Sequence, residues 1–168
     1  MPRTLAVLLA GYSYFLVRAA VPKLAGEIAL QSGHDGVTRA AALASTLWGL
    51  FAVQVVLGAL FLTAPWLMQL FPGQIHLGVC RLADYSPSQR ARILPLLWAM
   101  SGWVAAWLML GFVFLIRETI HALHDRRQPM AVSWLVGFSL AGTVAIILYY
   151  QSRIDSTAED TPASDSAP

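Results

Sequence analysis

Residues 93–116, ILPLLWAMSGWVAAWLMLGFVFLI, run without a single Asp, Glu, Lys or Arg. A helix needs roughly 20 mostly apolar residues to cross a hydrocarbon core of about 30 Å, and this run is long enough. Two more uncharged stretches lie on either side of it, between Arg39 and Arg81 and between Arg127 and Arg153. Upstream, residues 4–21 form a fourth apolar segment, interrupted late by Arg18. The spans fall at about 4–21, 41–62, 93–116 and 130–150. They must be helices, because lipid cannot satisfy free backbone groups and four separate spans cannot close a barrel. The expected fold class is all-α: a four-transmembrane-helix bundle in one domain (1–153), with a short interfacial helix in the middle loop. The tail, 154–168, is built of Ser, Thr, Ala, Pro and acidic residues after Ile154, and reads as disordered.

Composition agrees with the spans. Hydrophobic residues make up 57% of the chain and charged residues only 12%, against about 25% charged in an ordinary soluble domain. So few charges exclude a soluble enzyme, a disordered chain and a nucleic-acid binder built on a basic patch. Cys80 is the one cysteine, which excludes an internal disulfide framework and any Cys-rich zinc or iron–sulfur site.

Each span carries its own signals. The first also fits a signal peptide, with Arg3, an apolar run over 5–17 and Arg18-Ala19-Ala20. Cleavage after Ala20 would put Arg18 where a small residue is required, so a retained helix with Arg18 snorkelling to the interface is expected. In the second span Pro65 predicts a break, with Trp66, Met68, Leu70 and Phe71 continuing along the interface. Gln54, the strongly polar side chain near its middle, is expected to hydrogen-bond to a neighbouring helix. The third span has Pro95 near its start, where proline is tolerated, and Trp103 and Trp107 share a face at i, i+4. In the fourth, Ser133, Gly137, Ala141 and Ala145 recur every four residues, a small-residue face that lets helices approach closely in lipid. Packing inside the bundle is the first reading of that face, and a homo- or hetero-oligomer is the second.

The polar residues gather in three loops. Residues 22–39 contain Glu27, His34 and Asp35 around a turn-rich Ser32-Gly33-His34-Asp35-Gly36. In the middle loop Ser86 can cap a helix beginning at Pro87, with Gln89 completing a capping box. Arg90 and Arg92 then suit a structural role near lipid phosphates. After the third span come Arg117, Glu118, His121, His124 and Asp125. His121 and His124 share a face and, with His34 on the same side of the membrane, form the candidate metal set. A solvated helix end is the competing reading. No histidine lies at the centre of a span, as axial haem ligation requires. Mid-membrane ionisable residues, nucleophile–base pairs and nucleotide motifs are missing too. No catalytic residue, cofactor or nucleic-acid partner is therefore expected. Lys and Arg divide five against five or six between the two sides, so the positive-inside rule decides nothing.

The order of features resembles bacterial small membrane proteins of unknown function related to the integral-membrane immunity protein of the sporulation-delaying toxin system. That pattern has a helix, a proline-leucine segment, an isoleucine-x-x-histidine-phenylalanine motif and an aspartate-glycine turn. A second helix, a loop with isoleucine-asparagine-leucine and tyrosine-tryptophan, an arginine-bearing helix start and a late histidine follow. Here Val21-Pro22-Lys23-Leu24, Ile28-Ala29 and Asp35-Gly36 take the first places, with Gln31-Ser32 standing for histidine-phenylalanine. Ile75-His76-Leu77 replaces the asparagine motif, and Asp84-Tyr85-Ser86 keeps the tyrosine without the tryptophan. Pro87, Arg90 and His121 match the rest. The resemblance implies a multi-pass protein of the bacterial inner membrane, both termini cytoplasmic, serving immunity or signalling through a peptide or protein partner. The loop face expected to bind it comprises Glu27, His34, Asp35, His121 and His124. An accessory subunit of a larger membrane complex is the second hypothesis, and a metal- or haem-binding redox component the third.

Overall fold

The computed structural model describes the backbone of residues 1–32, 34–74, 76–77, 80–124 and 132–159, and side chains within 1–26, 41–74, 82–122 and 134–157. Four helices follow one another: α1 (Pro2–Ser32), α2 (His34–Leu70), α3 (Pro87–His124) and α4 (Val132–Glu159). Each is long and apolar enough to cross a membrane, and together they form an all-α four-helix bundle. This is the architecture of a multi-pass membrane protein in contact with the lipid bilayer.

Two expected loops are shorter than the sequence suggested. The segment 22–39 is helical on both sides of Gly33, with Pro22 inside α1. Its alanines and leucines favour helix, and Leu24 is buried in a cluster with Val17, Leu47 and Ile116. Residues 154–159, expected to belong to the tail, are helical, because α4 continues to Glu159. Ile154 holds that end down in a cluster with Leu82, Ile93 and Leu97, and the Ser156 and Thr157 hydroxyls donate to the Arg153 carbonyl. The remaining tail, 160–168, lies outside the described residues. In the middle loop the expected interfacial helix takes the form of two three-residue 3-10 turns, Pro72–Gln74 and Leu82–Asp84. They bracket a two-residue antiparallel ladder pairing His76 with Arg81 and Leu77 with Cys80.

The capping box is formed reciprocally. The Gln89 amide N–H donates to Ser86 Oγ at 3.2 Å, and the Ser86 N–H donates to Gln89 Oε1 at 3.0 Å. Arg90 is taken up by the chain itself, since its guanidinium donates to the carbonyls of Tyr85 and Ala83. It clamps the loop over the start of α3.

Helix directions alternate, and α3 is the hub. It packs against all three other helices, α1 and α2 also pack on each other, and α4 rests essentially on α3 alone. α1 runs parallel to α3. Pro2 and Arg3 seat on Gly102, where an added Cβ would come within 3.1 Å of Pro2 Cγ, while Val17 meets Ile116 further along. The first helix thus supplies interior side chains, Ala6, Ser13, Val17 and Leu24.

Pro65 does not end α2, which continues to Leu70 with Pro65 buried inside it. Proline has no N–H for the carbonyl four residues back, and here that carbonyl belongs to Phe61. The Ser101 hydroxyl of α3 donates to it instead. A serine from a neighbouring helix thus replaces the missing backbone donor, as membrane interiors require.

Aromatic and arginine side chains mark two levels along the bundle. At one lie Arg18, Trp48, Arg117 and Trp134, and at the other Arg3, Trp66, Trp98 and Tyr150. Arg3 stacks on Trp98, with Cζ 3.6 Å from the ring centroid. Arg18 is exposed and donates to the Tyr14 hydroxyl at 3.4 Å; Tyr14 in turn meets Trp48 and Phe51. At 1.5 Å per residue the two levels are about 22–28 Å apart on every helix, close to the thickness of a hydrocarbon core. That separation is the spacing of the two aromatic belts of a bilayer-spanning bundle.

Candidate functional site

The seam between α3 and α4 is built from a large residue set against a small one. The Trp107 ring lies over Gly142 so closely that any Cβ there would overlap the indole. The Trp107 indole N–H donates to the Ser139 carbonyl at 3.0 Å, and the ring meets Phe138 at 5.1 Å between centroids. One turn away Gly111 makes room for Ser139, whose Oγ would sit 2.6 Å from an added Cβ. Further along the seam Trp103 lies beside Tyr150. The i, i+4 pairing of Trp103 and Trp107 therefore does mark one face, and that face receives α4. Beside the seam a lipid-facing apolar groove of about 170 Å³ opens between Leu108, Phe112, Leu115, Leu135 and Leu140.

The small-residue face expected to pack inside the bundle points elsewhere. Gly137, Ala141 and Ala145 are exposed, and a Cβ at Gly137 would meet nothing within 4 Å. The Ser133 side chain lies outside the described residues. Docking uses Ser139 and Gly142 because the partner surface is an indole, and only a residue without a side chain lets the backbone pass beneath it. Flanking the outer stripe, Trp134 is 82% exposed and Phe138 64% exposed. None of the apolar window of α4 is buried within the chain, in contrast to the interior positions of α1, α2 and α3.

The loop residues expected to form a binding face divide differently. α1 and α3 run parallel, so the α1–α2 connection and the end of α3 lie at the same end of the bundle. His121 is exposed on α3. The side chains of Glu27, His34, Asp35 and His124 lie outside the described residues, and so does the metal set proposed for His34, His121 and His124. Gln54 behaves as expected, donating through Nε2 to the Met109 carbonyl of α3 at 3.4 Å. No family model, curated protein or solved structure matches the chain.

Proposed function

We propose that the chain is a non-enzymatic membrane protein that works as a subunit, associating laterally with another membrane helix through the outer face of α4. The observation that carries this reading is the placement of Gly137, Ala141 and Ala145 on the side of α4 turned away from α3. Small side chains let helix backbones approach closely in lipid, where close packing rather than water release drives association. Gly137→Leu separates this role from folding, because position 137 has open space within the chain. In native purification from mild detergent the wild type is expected to migrate with a partner or a second copy. Gly137→Leu should weaken that association about tenfold, equivalent to roughly 1.4 kcal/mol, with the fold unchanged. An unaltered assembly would overturn the reading.

A second reading is favoured by the length of the α1–α2 hairpin. Beyond Arg18, α1 continues for about 20 Å before Ser32, and residues 27–32 and 34–35 lie at the tip of that hairpin. This supports a membrane protein that holds a peptide or protein partner at the end carrying Glu27, His34, Asp35, His121 and His124. The resemblance to immunity-related membrane proteins points to the same kind of partner. Deleting the gene is then expected to raise sensitivity to membrane-active peptides, with wild-type complementation restoring it. Unchanged sensitivity would count against this reading and leave the lateral one intact.

A further inference from the structure

Two apolar clusters fill the α1–α2–α3 interior, with the buried polar side chains of Ser13 and Gln54 between them and that of Ser101 beyond one of them. One cluster gathers Ala6, Ala105, Ala106 and Met109, and the other gathers Val17, Leu24, Leu47 and Ile116. On α1 the interior positions run Ala6, Ser13, Val17, Leu24, and on α2 they run Leu47, Gln54, Gly58, Pro65. Ser13 and Gln54 therefore occupy core positions where an apolar residue would continue either cluster. Both side chains are 0% exposed. Gln54 spends its amide N–H on the Met109 carbonyl, while Gln54 Oε1 and Ser13 Oγ have no hydrogen-bond partner.

Helix register places these two residues within about one turn of each other in depth. Val17 packs with Leu47 across the antiparallel α1–α2 pair, which sets Ser13 level with Phe51 and about one turn from Gln54. A glutamine side chain spans such an offset. Pro2 seats at Gly102 and Val17 at Ile116 across the parallel α1–α3 pair, so Ser13 lies level with Phe112, just beyond Met109. The Met109 carbonyl points along α3 in that direction, and the Gln54 amide reaches for it. The Gln54 head group is thus drawn towards the Ser13 layer.

We infer that Ser13 and Gln54 hold a single water molecule at the centre of the membrane span. The Ser13 hydroxyl donates to the water oxygen, and the water donates to Gln54 Oε1. A buried water requires two to four polar partners, and a polar gap too wide for a direct bond is closed by such a bridge. No outside solvent can take this role, because both groups sit inside a bundle surrounded by lipid tails. The inference is independent of any partner bound at α4.

Crystals of the full chain grown from a lipidic phase test it. Wild type is expected to show one density peak about 3 Å from both Ser13 Oγ and Gln54 Oε1. Ser13→Val fills that space with a methyl group and should abolish the peak while the helices keep their places. Gln54→Leu, which removes the acceptor, should abolish it as well. A direct Ser13–Gln54 hydrogen bond, or an empty gap in wild type, would overturn the inference. So would a peak that persists in both variants.

Discussion

Gly142→Leu is expected to pull α4 off the bundle. The Trp107 ring occupies the place where the new side chain would begin, so either the indole leaves its bond to the Ser139 carbonyl or the helix backbone retreats. Forcing extra atoms into a packed contact costs about 1–3 kcal/mol, and a side chain starting inside a large ring lies at the upper end of that range. α4 has little to set against the loss, since it rests almost wholly on α3. A crosslink between Leu115→Cys and Leu135→Cys, which line one groove at the same level of the seam, reports docking once Cys80 is replaced by serine. Crosslinking should be efficient with Gly142 and fall more than tenfold with leucine there. Equal yields would mean that the seam does not depend on this glycine. Gly137→Leu, five residues away on the outer face, is the matched control and should leave the crosslink intact.

Ser101→Ala is expected to destabilise the bundle by about 1–2 kcal/mol, the penalty for leaving a buried carbonyl without a donor. The cause is specific enough to be tested by compensation. In a Pro65→Ala background residue 65 regains its N–H, the Phe61 carbonyl is satisfied within α2, and Ser101→Ala should cost close to nothing. A double-mutant cycle of unfolding in mixed micelles gives the coupling directly. An equal cost for Ser101→Ala in both backgrounds would show that the serine does not serve the proline's orphan carbonyl.

These two positions also show where sequence reasoning succeeds and where it stops. The four spans are legible because charge is excluded from lipid, so runs such as 93–116 announce themselves. The capping box at Ser86 and Gln89 is legible because both partners lie within one turn. Gln54 is legible as an interhelical donor because a lone amide in an apolar span has few other fates. Pro65 misleads, since the rule that proline breaks a helix assumes that no outside donor reaches the freed carbonyl. That donor, Ser101, is distant in the chain. The α4 seam misleads for a related reason: a four-residue repeat of small side chains suggests packing against another smooth helix. The observed contact pairs Gly142 with Trp107, and one glycine beneath one ring leaves no periodic trace. The same holds for the candidate site. Residue types around Glu27, His34, Asp35 and His121 were legible, but the sequence did not reveal that most of the expected loop 22–39 would be helix.

The position of α3 at the hub has a consequence for how the chain is assembled. Once α3 has entered the bilayer, α1, α2 and α3 can close their shared interior with no contribution from the last helix. α4, made after them and held mainly on one side, adds Ile154 to the remaining cluster beside Leu82, Ile93 and Leu97, and the same one-sided attachment makes it the first element to leave under stress. The protein is in this sense a three-helix body carrying an adjustable fourth limb.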